Sequence, residues 1–345
     1  MTTPNHILVI RLSALGDVAM TVPVLRVLAK TYPELRLTVV SRRFYQPLFA
    51  DISNVHFLEA DVYGKHKGLF GLLKLAKEAR ALRIDAVADL HNVIRSKTIT
   101  RNLKFKGVRT AAIDKGRAEK KKLTNAKGLG LVKLKSTHQR YADVFEQLGF
   151  PIDLSLHEFP DRKPLNPRLH TLIGKEPKKC IGIAPFAAYE SKMYPLNLTK
   201  EVIEKLDSDQ KYKILLFGGG KEEISQLKEW ESRYESVTNV AGILTFEDEL
   251  NLISNLDIML SMDSANGHLA AIYNIPVITL WGVTHPYAGF TPFQQPDANQ
   301  LKSDRNKFPL IPTSVYGNKY PKGYGRVMES IAPSKVVDAI LTIIE

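Results

Sequence analysis

His6-Ile7-Leu8-Val9-Ile10-Arg11 (HILVIR) is a short apolar run that closes on a cation, and Leu12-Ser13-Ala14-Leu15-Gly16-Asp17 follows it. A run this short, bounded by small residues and glycine, reads as a buried strand. Behind it Val18 to Lys30 has helical spacing. Pro23 is tolerated only in the first turn or so of a helix, so the helix begins between Asp17 and Val22. Strand, small-residue turn and helix then recur. Further strands are predicted at 35–40, 55–58 and 86–90, and a helix at 69–82. Such alternation builds a parallel sheet covered by helices on both faces.

Asp161 to Arg168 (DRKPLNPR) is polar, holds two prolines and reads as a linker. After it the alternation restarts, with strands at 180–184, 212–217, 257–261 and 277–281 and helices at 198–206, 221–233, 246–254 and 266–273. The expected division is a first doubly wound domain over 1–165, a second over 166–330 and a C-terminal helix within 331–345, free to fold back on the first. Open α/β sheets bind ligands beyond the carboxyl ends of their strands. That rule selects the loops 12–17, 91–97, 185–192, 218–223, 262–268 and 282–290. Facing edges would put the substrates in a cleft.

The chain has 345 residues, which favours two domains. Its net charge is +12, and the stretch 95–140 carries the whole excess: fifteen Lys and Arg stand there against Asp114 and Glu119. A local basic field attracts phosphates, carboxylates or anionic membranes, with a merely solvated face as the plain alternative. Phe105 is the one aromatic residue of that stretch, so base-stacking platforms for nucleic acid are lacking and no nucleic-acid partner is expected. Cys180 is the only cysteine, which rules out an internal disulfide. No apolar stretch approaches the ~20 residues of a membrane span. The N-terminal residues lack the signal-peptide pattern, so a cytoplasmic protein is expected.

Five constellations fall in the selected loops. Asp17, near a helix start and close to Ser13, suits either a helix cap or a general base; spacing alone favours the cap. Asp263-Ser264-Ala265-Asn266-Gly267-His268 opens a helix after a strand, where free N–H groups and the helix dipole suit a diphosphate. His268 there is equally readable as a core histidine. Lys192, in Tyr189-Glu190-Ser191-Lys192, is placed to neutralise a departing phosphate; a surface lysine is the bland reading. Gly218-Gly219-Gly220 permits close backbone approach, and Glu222 or Glu223 could accept from ribose hydroxyls or simply favour the helix dipole. Arg95, Lys97, Arg101 and Arg140 are candidates for acceptor anions. Asp207-Ser208-Asp209 is a formal DxD on the wrong side of the sheet, and no metal site is expected.

ILVIRLSALGDVAMTVPVLRVL and SMDSANGHLAAIYNIPVITLWGVTHPYAGF resemble the opening and the nucleotide-binding segment of glycosyltransferase family nine, the bacterial ADP-heptose:lipopolysaccharide heptosyltransferases. IAPFAAYESKMYP and FGGGKEE fall between them in the family's order. The resemblance implies a GT-B fold of two Rossmann-like domains, inversion at the anomeric carbon and no metal or other cofactor. It implies that Asp17 is the base and that Lys192 lies near the donor phosphates. It assigns Glu222 or Glu223 to the ribose, and Asp263, Ser264, Ala265 and His268 to the diphosphate and sugar. The stretch from Arg95 falls where the family binds acidic sugars of an anionic glycolipid acceptor. Peripheral attachment at the inner face of the inner membrane, through the basic segment, is a separate expectation. Ala265 departs from the family's usual glycine, and Ala187 and Ala188 from its small hydroxyl residues. The alternatives are a sugar-nucleotide epimerase on the same fold, a nucleic-acid-binding protein using 95–140, and an inactive family member.

Overall fold

A computed structural model describes residues 4–125, 130–174, 176 and 178–345; Lys127 of the basic run lies outside the described residues. The chain forms two compact units, Met1–Lys115 with Lys135–Glu158, and Gly116–Leu134 with Phe159–Glu345.

The first unit is built on β1 (His6–Ile10), β2 (Arg36–Ser41), β3 (Val55–Glu59), β4 (Ala86–Asp89) and β5 (Arg109–Ala112), in the order β3-β2-β1-β4-β5. The strands are parallel; Ile7 faces Leu37 on one side and Ala86 on the other. Central position explains the opening run, because β1 is buried along its whole length. The expected single helix is two, α1 (Leu15–Ala19) and α2 (Thr21–Thr31), and Pro23 sits in the first turn of α2, where its missing N–H leaves no helical bond unmade. Next come α3 (Gly68–Ala81) and α4 (Ile94–Phe105), packed side by side. They bury Leu72, Leu75, Ala76, Ile99 and Leu103 against Leu8, Ile10 and Val87. Helix α5 (Arg117–Asn125) belongs to the second unit, and α6 (Thr137–Gln147) returns to the first.

The second unit continues with α7 (Pro167–Ile173), β6 (Lys179–Ala184), α8 (Leu196–Asp207), β7 (Tyr212–Leu216), α9 (Lys221–Glu231), β8 (Val237–Asn239), α10 (Phe246–Ile253), β9 (Ile258–Met262), α11 (Ala265–Ile272), β10 (Val277–Trp281), β11 (Gln300–Lys302) and α12 (Pro333–Ile344). Its sheet order is β11-β10-β9-β6-β7-β8, again all parallel. Val336, Val337 and Ile340 of α12 are buried in the second core, and the helix packs on α8, β9 and β10.

The stretch 116–134 is a detour that a linear division at 165/166 does not contain. The Leu134 N–H donates to the Tyr287 carbonyl at 2.9 Å, Lys133 pairs with Asp297 at 3.0 Å, and the Lys120 ammonium lies 3.9 Å from the Phe290 ring centre. Its cations thus meet an acid and a π face in the second unit. Arg140, half of a pair of brackets with its own helix, holds the two ends of the detour: Nη1 donates to the Asp114 carbonyl and Nε to that of Lys135, both at 3.3 Å.

Among the described residues no helix is long and apolar enough to cross a membrane, and no group of three or more His, Cys, Asp or Glu side chains is placed to hold a metal ion.

Candidate functional site

Each sheet has one place where the strand order reverses, between β1 and β4 in the first and between β6 and β9 in the second. Loops leaving adjacent strands in opposite directions open a crevice there, at the carboxyl ends. In each unit a charged pair sits in that crevice.

In the first unit Arg11 directly follows β1 and Asp17 stands in the first turn of α1. The buried Arg11 guanidinium spans the switch point, donating to the Leu90 carbonyl after β4 at 2.8 Å and pairing with Asp17 Oδ2 at 2.5 Å. The Ala14 N–H reaches the same oxygen only at 3.4 Å, too long to hold it, so the ion pair rather than the helix cap orients the carboxylate. Asp17 Oδ1 has no hydrogen-bond partner among the described residues, and the side chain is 34% exposed. A carboxylate fixed by one oxygen and open at the other has the form of a proton acceptor. Tyr141 backs the pair, its hydroxyl donating to the Asp17 carbonyl at 3.3 Å, and burial pushes its phenol up. His91 Nδ1 accepts from the Leu12 N–H at 3.4 Å. Burial first, then the Arg11 and Lys115 cations, hold its imidazole down at about 3, so it stays neutral. Asp89 Oδ1 fixes the same loop by accepting from the N–H groups of His91 and Asn92.

In the second unit the loop after β6 reaches across to the loop after β9. Lys192 Nζ lies 2.9 Å from Asp263 Oδ2; both side chains are largely buried, at 14% and 8% exposure. Thr284, after β10, donates to the same oxygen at 2.9 Å. An ammonium has three donors, so the pair anchors Lys192 while leaving capacity for an anion. The lysine rests on the turn 314–317: a Cβ at Gly317 would stand 2.6 Å from its Cγ and Cδ, and Ser191 Oγ donates to the Gly317 carbonyl at 2.5 Å. Ser264 stands at the N-cap position of α11 without a side-chain capping bond, its hydroxyl 3.2 Å from that of Ser261, which accepts from the Gly267 N–H. At a helix start the N–H groups of Ala265 and Asn266 have no partner within the helix, so they are donors for an anion. His268 is buried in the first turn of α11.

The two glutamates of the glycine turn part company. Glu223 folds back so that Oε2 accepts from the Gly219 N–H at 2.7 Å, and Gly218 is small because Leu227, Glu223 and the Phe186 ring crowd it. Glu222 stays exposed. Glu223 thus closes its own turn, whereas the Glu222 carboxylate is not engaged in it.

The acceptor candidates also divide. Ser13 is half-buried in the loop before α1, and Arg95, Lys97 and Arg101 are exposed on α4. The sequence reading set Arg140 beside them, but it is buried with its guanidinium on main-chain carbonyls, so its charge braces the detour. Sequence reasoning missed Arg11, His91, Thr284 and Gly317 as site residues. Only Arg11 gave a signal, a charge closing an apolar strand; the others act through tertiary contacts.

Two parallel sheets, each with a charged crevice at its switch point, define the class as a GT-B glycosyltransferase fold. The chain belongs to glycosyltransferase family 9 (heptosyltransferase), whose sequence model matches residues 72–318. Among its relatives is the lipopolysaccharide core heptosyltransferase OpsX of Haemophilus influenzae, 22% identical over 82% of this chain and 80% of the relative. A glycosyl transferase family 9 structure from Veillonella parvula superposes with a TM-score of 0.75 at 19% identity, covering 99% of this chain and 97% of the other. The ADP-heptose lps heptosyltransferase II structure of E. coli gives 0.70 at 18% identity, covering 98% of each chain. The protein is accordingly an enzyme, a glycosyltransferase; the epimerase alternative is not favoured.

Proposed function

We propose that this enzyme transfers heptose or a related sugar from an ADP-linked donor to an anionic lipopolysaccharide inner-core acceptor, with inversion and without a metal ion. The observation that carries the reading is the buried Lys192–Asp263 pair at the second switch point, beside the open N-terminus of α11. That arrangement supplies fixed positive charge where a nucleotide diphosphate leaves, the role a divalent cation fills elsewhere. Asp17 Oδ1 takes the proton as an acceptor hydroxyl attacks the anomeric carbon, and Arg11 holds the carboxylate for it. The C–O bond to the diphosphate breaks on the opposite side, and the electron pair passes to the phosphate oxygen against Lys192 and the Ala265 and Asn266 amides. Glu222 receives the ribose; Arg95, Lys97 and Arg101 receive acceptor anions. The work takes place at the inner face of the cytoplasmic membrane.

The test is transfer from ADP-heptose to a core acceptor, with ADP binding followed by calorimetry. Asp17→Asn lowers kcat by about 10²–10⁴-fold, the usual worth of a positioned base, with ADP affinity retained. Lys192→Ala weakens both. An Asp17→Asn enzyme with undiminished kcat rejects the base, and a preference for UDP or GDP over ADP rejects the donor.

A further inference from the structure

Three loops at the carboxyl-end edge of the first sheet are stapled together by one exposed tyrosine. Tyr63, in the loop after β3, lies between Arg42 from the loop after β2 and Arg95 at the start of α4; the guanidinium carbons stand 5.4 Å and 5.6 Å from its ring centre. Neither arginine has an acidic partner among the described residues, in contrast to Arg11 and Arg26 of the same unit. The first turns of α3 and α4 open at this same edge, because both helices follow strands of one parallel sheet. They present Leu69 at 60%, Phe70 at 86% and Ile94 at 85% exposure, and Tyr63 itself is 66% exposed. Large apolar side chains are seldom left this bare in a group, and such a group marks a binding surface. Paired with unneutralised arginines, it has the composition of a membrane-interface anchor: apolar groups for the acyl boundary and guanidinium forks for headgroup phosphates.

We propose that this edge of the first unit docks on an anionic lipid bilayer, with Leu69, Phe70 and Ile94 inserted at the headgroup boundary and Arg42 on lipid phosphates. The proposal adds a partner to the function above and depends on it only for its purpose, which is to meet an acceptor carried in a membrane. Its test needs neither donor nor turnover.

Flotation of the full chain with vesicles of equal phosphatidylglycerol and phosphatidylethanolamine is compared with flotation on pure phosphatidylcholine. Wild type floats with the anionic vesicles, and added salt weakens but does not abolish binding, because the apolar share is not screened. The triple substitution Leu69→Ser, Phe70→Ser, Ile94→Ser lowers the bound fraction about tenfold or more, with an unchanged far-ultraviolet circular dichroism spectrum as proof that the first unit is folded. A second readout does not depend on that variant: the Phe70→Trp emission shifts to shorter wavelength on anionic vesicles and stays put on neutral ones. Failure of wild type to float on anionic vesicles overturns the proposal, as does an unshifted Phe70→Trp spectrum. So does a triple variant that folds and floats like wild type, or a wild-type dimer that the triple variant dissociates, which would make the patch a self-interface.

Discussion

His91 shows what a single buried side chain imposes on the site. Burial and the neighbouring Arg11 and Lys115 cations keep it neutral, and its folded value of about 3 lies well below the ordinary 6.5. Between those values the unfolded chain binds the proton and the native chain does not. Stability contributed by neutral His91 is therefore complete above pH 6.5 and is lost as the pH falls toward 3, at up to about 1.4 kcal/mol per pH unit. His157 and His285, each lowered to about 4 by burial, add to the same slope. Urea unfolding of wild type and His91→Asn between pH 7 and 4 checks this: the variant loses stability less steeply on acidification. Equal slopes would mean that His91 is protonated in the folded chain. At this scale the sequence offers a residue's type and place in a loop but not its partner. Asp17 was legible as a carboxylate at a helix start; that Arg11 and not the helix holds it is a tertiary fact.

The elements nearest the chemistry are short turns, and the 314–317 turn is the most exacting. Gly317 has φ +84°, where a side chain is strained, and an added Cβ would also collide with the Lys192 stem. Gly317→Ala is expected to cost about 1–3 kcal/mol of stability and to weaken ADP binding about tenfold or more by displacing the ammonium, at the scale of one charged hydrogen bond. Calorimetric titration with ADP reads it, and unaltered affinity would detach Lys192 from the donor phosphates. Strands β1, β4, β6, β7, β9 and β10 were legible because burial on both faces forces continuous apolar runs. Strands β5, β8 and β11 are short strands at sheet edges and leave no continuous apolar run. Helix α4 was hidden within the 91–101 stretch because Arg and Lys fill its outer face, while only Ser96, Ile99, Thr100 and Leu103 mark the inner one.

For the whole molecule, two separate cores mean two units able to melt separately. The chain has two tryptophans, Trp230 and Trp281, both buried in the second unit, so tryptophan emission follows that unit alone. A nucleotide diphosphate bound there is expected to raise the fluorescence-detected midpoint, by the equivalent of about 2.7 kcal/mol at a hundredfold excess over Kd. A midpoint indifferent to saturating ADP would place the nucleotide elsewhere. The detour of residues 116–134 has a practical corollary for anyone wishing to prepare either half. The polypeptide is stitched over the unit boundary three times, after 115, 134 and 158. One protease nick therefore releases nothing, and a fragment ending at 158 carries an orphaned arm shorn of Tyr287, Phe290 and Asp297. A clean first half requires excising that arm and rejoining the chain at the two carbonyls Arg140 already grips.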